Sequence, residues 1–265
     1  MFQYQFMQNA LIAILLITPI FGILGTMIVN NKMAFFSDAL GHSAFTGIAI
    51  GVILGVQNTL LSMIVFGIIF ALLLNWIRRK SVASMDTVIS VFASFGMAIG
   101  LAILSLGGNF AKYNSLLIGD ILSITHQEII GLLLAFVAVV VFWYFCFNRL
   151  HAMSINRSLA RTKGISVQFM DNLFVVLMAV VVMLSIQWVG LLIINALLIL
   201  PAASARNLAY NMRMYHLYSV ILSVVSGIVG LVLSYYLGIA TGPMIVIVAS
   251  CIFFITLLVG KKNKR

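Results

Sequence analysis

Long apolar runs separated by short polar connections dominate the chain, and their spacing predicts helices that cross a membrane. The runs fall at about 10–29, 33–55, 59–77, 86–106, 128–148, 171–187, 189–206, 217–237 and 242–260. Each approaches the roughly 20 apolar residues that an α-helix needs to span a hydrocarbon layer of about 30 Å. The pattern predicts an all-α, polytopic membrane protein with about nine transmembrane helices. Two segments depart from it. Residues 107–126 open with Gly107-Gly108 and hold only a short apolar piece, Leu116 to Ile124. This predicts a short or re-entrant helix on the outer side, shielded by protein because bare backbone cannot face lipid. Residues 149–170 form the longest polar connection. Within it Ser154 is placed to N-cap a short helix running to Gly164, with Ile155 and Leu159 one turn apart on one face. Such an amphipathic helix is either a docking element for a partner or an interfacial anchor, and periodicity does not choose between them.

Composition agrees. The 265 residues are 63% hydrophobic and only 8% charged, with a mean hydropathy of +1.20. Nine crossings use about 180 residues and leave about 85 for ends and loops. That is too few for an attached nucleotide-binding module of ~100 residues or more, so residues 1–265 form a single transmembrane domain. The opening stretch lacks the positively charged start of a signal peptide and belongs to the mature protein. The net charge of +10 would suggest nucleic-acid binding in a soluble chain. Here every Lys and Arg except Lys112 falls on one side of the alternating helices: Lys32, Arg78-Arg79-Lys80, the 149–170 segment, Arg206 with Arg213, and the tail Lys261 to Arg265. Cytoplasmic loops carry such an excess, which predicts an outer N-terminus, a cytoplasmic C-terminus and no nucleic-acid partner. Cys146 and Cys251 lie inside apolar runs without metal-like spacing and read as packing residues. Gly47, Gly51 and Gly55, and again Gly96 and Gly100, recur every fourth residue, a spacing that lets helix backbones approach closely. Pro201 should kink its helix.

Five acidic residues can each be weighed. Asp86 and Asp171 begin helices, where a carboxylate complements the helix dipole. Asp120, His126 and Glu128 lie on or near the outer side, either as solvated polar residues or as contacts to an extracytoplasmic partner or metal. His151 and His216 sit among basic residues at the cytoplasmic side and read as solvated or headgroup-facing. Asn195 lies in mid-helix, where an interhelical hydrogen bond is the expected role. Asp38 differs. It lies inside the second helix, with His42 one turn on and Thr46 continuing the same face. At 1.5 Å per residue the pair sits ~8 and ~14 Å from the cytoplasmic end. Ionisable groups at that depth are costly unless paired or facing an aqueous path. Carboxylate and imidazole suit Zn²⁺ or, with more oxygen ligands, Mn²⁺. An internal Asp–His hydrogen bond is the other reading, and spacing leaves both open. Two copies about a two-fold axis would supply a four-coordinate set. No GxxxxGK[ST] phosphate loop and no Ser/His/Asp system occur, so the chain is not itself an ATPase or a hydrolase.

At Ser37-Asp38-Ala39-Leu40-Gly41-His42 the sequence resembles the membrane permease subunits of ABC-type zinc/manganese importers. Leu117-Ile118-Gly119-Asp120-Ile121-Leu122 looks like that family's outer Gly-Asp motif. The run from Val189 through Asn195 and Pro201 to Arg206 looks like its longest signature, and Thr241-Gly242-Pro243 matches the Gly-Pro opening its last helix. The resemblance implies a homodimeric permease of a cell membrane, the bacterial plasma membrane. A cytoplasmic ATP-binding subunit would hydrolyse ATP, and an extracytoplasmic protein would deliver the metal. Asp38 and His42 would line the metal path, with no tightly bound cofactor. The 149–170 segment would couple to the ATPase through Ile155, Leu159, Ala160 and Gly164. Zinc is the expected cargo, since the long signature and the Gly-Asp motif look closer to zinc permeases; a manganese permease is the alternative. The chain departs from the family pattern at Gly41 (usually Ser or Ala), at Arg157, Ser158 and Leu159 (no acid before Ala160) and at Gly238 (often Asp). An ion-coupled secondary transporter usually shows two repeated halves, which are not evident here. A non-transporting anchor would give no reason for an acid and a histidine one turn apart inside a helix.

Overall fold

The computed structural model describes residues 4–80, 85–106, 119 and 121–262. Among them lie nine helices long and apolar enough to cross a membrane, as the run pattern requires. In chain order the elements are α1 (Gln5–Asn30), α2 (Ala34–Ile53), α3 (Thr59–Lys80), α4 (Met85–Leu106), a 3₁₀ turn (Ile121–Ser123), α5 (His126–Ile155), the short α6 (Arg157–Thr162), α7 (Val167–Val189), α8 (Leu191–Leu208), α9 (Met212–Leu237) and α10 (Thr241–Lys262). Most of the expected 107–126 segment lies outside the described residues; its last part forms the 3₁₀ turn and the start of α5.

The chain forms two compact units: Met1–Lys32, Leu117–Val140 and Trp188–Arg265 in the first, Met33–Leu116 and Val141–Gln187 in the second. In the first unit α1, α8, α9 and α10 pack on one another. The inner face of α9 carries Ser219, Ser223, Ser226, Gly227, Gly230 and Ser234, all small, so neighbouring backbones come close. Ser219 Oγ donates to the Gly22 carbonyl of α1 at 2.7 Å, and Ser234 meets Thr241 of α10 at 3.1 Å. The helix α8 runs unbroken through Pro201.

In the second unit α2 packs on α3 and α4. The glycine spacing noted in the sequence does this work, with one correction. Gly47 and Gly51 of α2 face Met63, Phe66 and Ser62 of α3, but Gly55 lies beyond the ridge. Gly55 ends α2 with φ of 68°, and Val56 N donates to Gly51 O at 2.9 Å. That is a left-handed helix stop, which glycine adopts without a Cβ penalty. On α4, a Cβ at Gly100 would lie 2.5 Å from Thr46 N and 2.6 Å from Phe45 C, both backbone atoms of α2.

The longest helix, α5, has 30 residues. At 1.5 Å each it is about 45 Å long, well beyond a ~30 Å hydrocarbon layer. The apolar run ends near 148, but backbone hydrogen bonding continues to Ile155. Ser154 is therefore inside α5, donating to His151 O at 2.8 Å, and does not cap a helix. The cap is Asn156, whose side chain accepts from Ser158 N at 2.9 Å and Leu159 N at 3.1 Å. At the other end of α6, Gly164 takes φ of 75°, with Gly164 N donating to Arg161 O and Ile165 N to Ala160 O.

Candidate functional site

The helix α2 is the least apolar and the most enclosed of the nine. Ser37, Ala39, Leu40, Gly41 and Ser43 are all buried. Asp38 and His42 interrupt this enclosure, with side chains 40% and 27% exposed. They are the fifth and ninth residues of α2, roughly 6 and 12 Å along it from Ala34 at 1.5 Å per residue. Their i, i+4 spacing turns both to the one open stripe, and His42 Nε2 lies 3.4 Å from Asp38 Oδ1. That separation exceeds the 2.7–3.2 Å typical of a good N–H···O bond. It is close to the ~3.3 Å between two ligand atoms that each lie about 2.0–2.1 Å from a tetrahedral Zn²⁺. The other ring nitrogen, Nδ1, is enclosed without a hydrogen-bond partner among the described residues. Thr46, expected to continue this face, is buried and donates through Oγ1 to the Gly96 carbonyl of α4. Among the described residues no third His, Cys, Asp or Glu joins the pair.

Of the other acids, Glu128 and Asp171 have partners of their own. Asp120 lies outside the described residues, but its neighbour Gly119 is packed so that a Cβ would come 2.1 Å from Val189 O, where α7 gives way to α8. Gly119 thus abuts the start of the long Val189–Arg206 signature. Glu128 is the third residue of α5; its carboxylate accepts from Thr125 N and Oγ1, both at 2.8 Å, while Glu128 N donates back to Thr125 Oγ1 at 3.4 Å. Thr125 and Glu128 thus form a capping box at the exposed start of α5, and Thr-x-x-Glu was its readable signal. His126, the first residue of α5, is exposed. Asp171 does not begin its helix. It is the fifth residue of α7, buried, and paired with Arg157 at 3.4 Å and Arg78 at 3.7 Å. His216 is buried rather than solvated, with Nδ1 2.7 Å from Met212 O, and His151 is half-buried with its ring stacked on Phe147. Cys146 is buried and Cys251 exposed, both as free thiols.

The coupling candidates divide by direction. Ile155 and Leu159 are 70% and 54% exposed, whereas Ala160 is buried and Gly164 supplies the left-handed stop that ends α6. Beside α6 a cleft of about 280 Å³ is lined by residues including Arg149, Lys163, Ile165 and Phe169. The segment therefore presents two apolar side chains next to a basic hollow.

The ABC 3 transport family model matches residues 3–260. The chain is 31% identical over 259 residues to the high-affinity zinc uptake system membrane protein ZnuB of Haemophilus influenzae, covering 96% of this chain and 97% of that protein. It is 30% identical over 263 residues to the manganese import system permease protein ScaB of Streptococcus parasanguinis, covering 99% and 94%. Among solved structures, a chain of PsaBC from Streptococcus pneumoniae in complex with Fab matches with a TM-score of 0.83 at 28% identity, covering 96% of this chain and 91% of that one. Long apolar helices matched nearly end to end make this chain a multi-pass membrane protein that belongs to the ABC 3 transport family.

Proposed function

We propose that the chain is the permease subunit of an ATP-driven importer of divalent metal in a bacterial plasma membrane. Zinc is the favoured cargo and manganese the alternative. The observation that carries this reading is the Asp38–His42 pair, with a 3.4 Å separation suited to two ligands on one cation, on the open stripe of an otherwise buried helix. Two protein ligands leave positions for water or for a second copy about a two-fold axis. Such an incomplete site suits an ion that must leave again. Family membership supports an ATP-dependent importer over the ion-coupled alternative. The relatives named for zinc and for manganese stand at 31% and 30% identity, so cargo must be measured.

In this reading the N-terminus is outside and the C-terminus cytoplasmic, because the ends of α1, α3, α5, α8 and α10 carry the basic residues. The permease domain spans residues 1–265. Ile155 and Leu159 on and before α6 meet a cytoplasmic ATP-binding subunit, Ala160 packs α6 inward and Gly164 shapes its end. An extracytoplasmic metal-binding protein supplies the ion at the opposite side. ATP binding and hydrolysis on the partner favour alternate arrangements of the helices, and the delivered metal is released to the cytoplasm.

The test is uptake of radioactive zinc and manganese by cells lacking this chain and complemented with it. Restored zinc uptake is the expected result, and restored manganese uptake would keep the mechanism and change the cargo. Complemented cells that accumulate neither metal would overturn the reading.

A further inference from the structure

One carboxylate in the second unit holds two guanidiniums from different elements. Asp171 Oδ2 on α7 lies 3.4 Å from Arg157 Nη1, the first residue of α6, and 3.7 Å from Arg78 Nη2 near the end of α3. The two contacts differ in setting. Arg78's side chain is 2% exposed, Arg157's 41%. A buried guanidinium stripped of its carboxylate is strongly unfavourable, so the α3–α7 contact is firm. The half-exposed contact to α6 is screened by water and is weaker. Next to Asp171, Asn172 Oδ1 accepts from Asn75 Nδ2 at 2.8 Å and from Arg79 Nη2 at 2.7 Å, which reinforces the α3–α7 side only.

The short helix needs this anchor. Six residues cannot hold a helix in water on their own. The Asn156 cap and the Gly164 stop fix the internal shape of α6 but not its attitude to the rest of the unit. Burial of Ala160 supplies one attachment and Arg157 the other. We propose that Asp171 is a positioning residue that latches α6 to α3 and α7, so that force applied to α6 reaches the bundle. From α3 the path continues by direct packing to α2, which carries Asp38 and His42. Arg157, a departure from the family pattern in the sequence, is thereby given an inward-facing role. The inference rests on the reading of α6 as the ATPase-docking element.

The experiment uses the full complex of permease, ATP-binding subunit and metal-binding protein in proteoliposomes, measuring zinc (or manganese) moved per ATP hydrolysed. Arg157→Gln is the informative variant because it leaves the buried Arg78–Asp171 pair intact. The complex should still assemble and hydrolyse ATP, but metal moved per ATP should fall roughly three- to fivefold, the weight of one half-exposed ion pair. Amide exchange across residues 157–162 should quicken, and Arg157→Lys should restore both readouts. An unchanged ratio and unchanged exchange in Arg157→Gln would overturn the latch. Docking is read separately with Leu159→Glu: if the ATP-binding subunit stays bound to that variant, the docking reading fails. If it is lost there while Arg157→Gln couples normally, the latch alone fails.

Discussion

Asp38 and His42 were legible in the sequence because helical periodicity alone puts residues four apart on one face. Their exposure was not, since it depends on which sides of α2 are covered by α3 and α4. Thr46 shows the limit: the same periodicity includes it, yet its hydroxyl is turned to Gly96 of α4. Long-range partners decide such cases, as they do for Asp171, whose two arginines lie 14 and 93 positions away in the sequence. Glu128 is the opposite case, a local motif that could have been read from Thr125 onward. Removing it in Glu128→Ala should cost about 1 kcal/mol as a lost cap. In a thermal melt of the purified protein this appears as a midpoint lower by about 2–4 °C. Asp38→Ala and His42→Ala should each lower metal uptake at least about tenfold, since even an outer partner of a metal ligand is commonly worth that much. Both variants should still co-purify with the ATP-binding subunit.

At the scale of elements, apolar runs located every long helix but misplaced several ends. Lipid demands apolar side chains, whereas a helix needs only its backbone hydrogen bonds, so α5 continues seven residues beyond the run that ended at 148. That extension moved the cap of α6 from Ser154 to Asn156. The contact between α2 and α4 depends on Gly100, because the atoms a Cβ would meet are backbone and cannot rotate away. Gly100→Val should therefore destabilise the protein by about 1–3 kcal/mol, as overpacking does, despite valine's better fit to lipid. A lower melting midpoint together with reduced metal uptake is the expected pair of observations, since α2 carries the candidate ligands. On α6, Leu159→Glu should weaken co-purification of the ATP-binding subunit by placing a charge on its exposed apolar face.

At the scale of the whole molecule, the nine long apolar helices among the described residues and the one-sided distribution of Lys and Arg are what the proposed orientation, N-terminus outside and C-terminus cytoplasmic, rests on. A tag at the C-terminus should be digested only when protease reaches the cytoplasmic face, and one at the N-terminus only from outside. Family membership was legible because its motifs are long and ordered along the chain. Cargo was not, because a carboxylate and an imidazole such as those of Asp38 and His42 suit both metals. The most direct measurement is zinc and manganese transport by proteoliposomes holding the assembled importer with wild-type, Asp38→Ala or His42→Ala permease. The expected result is ATP-dependent accumulation of one metal by the wild type and its loss in both variants, with the ATP-binding subunit still bound. Full transport by either variant would contradict the proposal that Asp38 and His42 bind the metal on its way through the membrane.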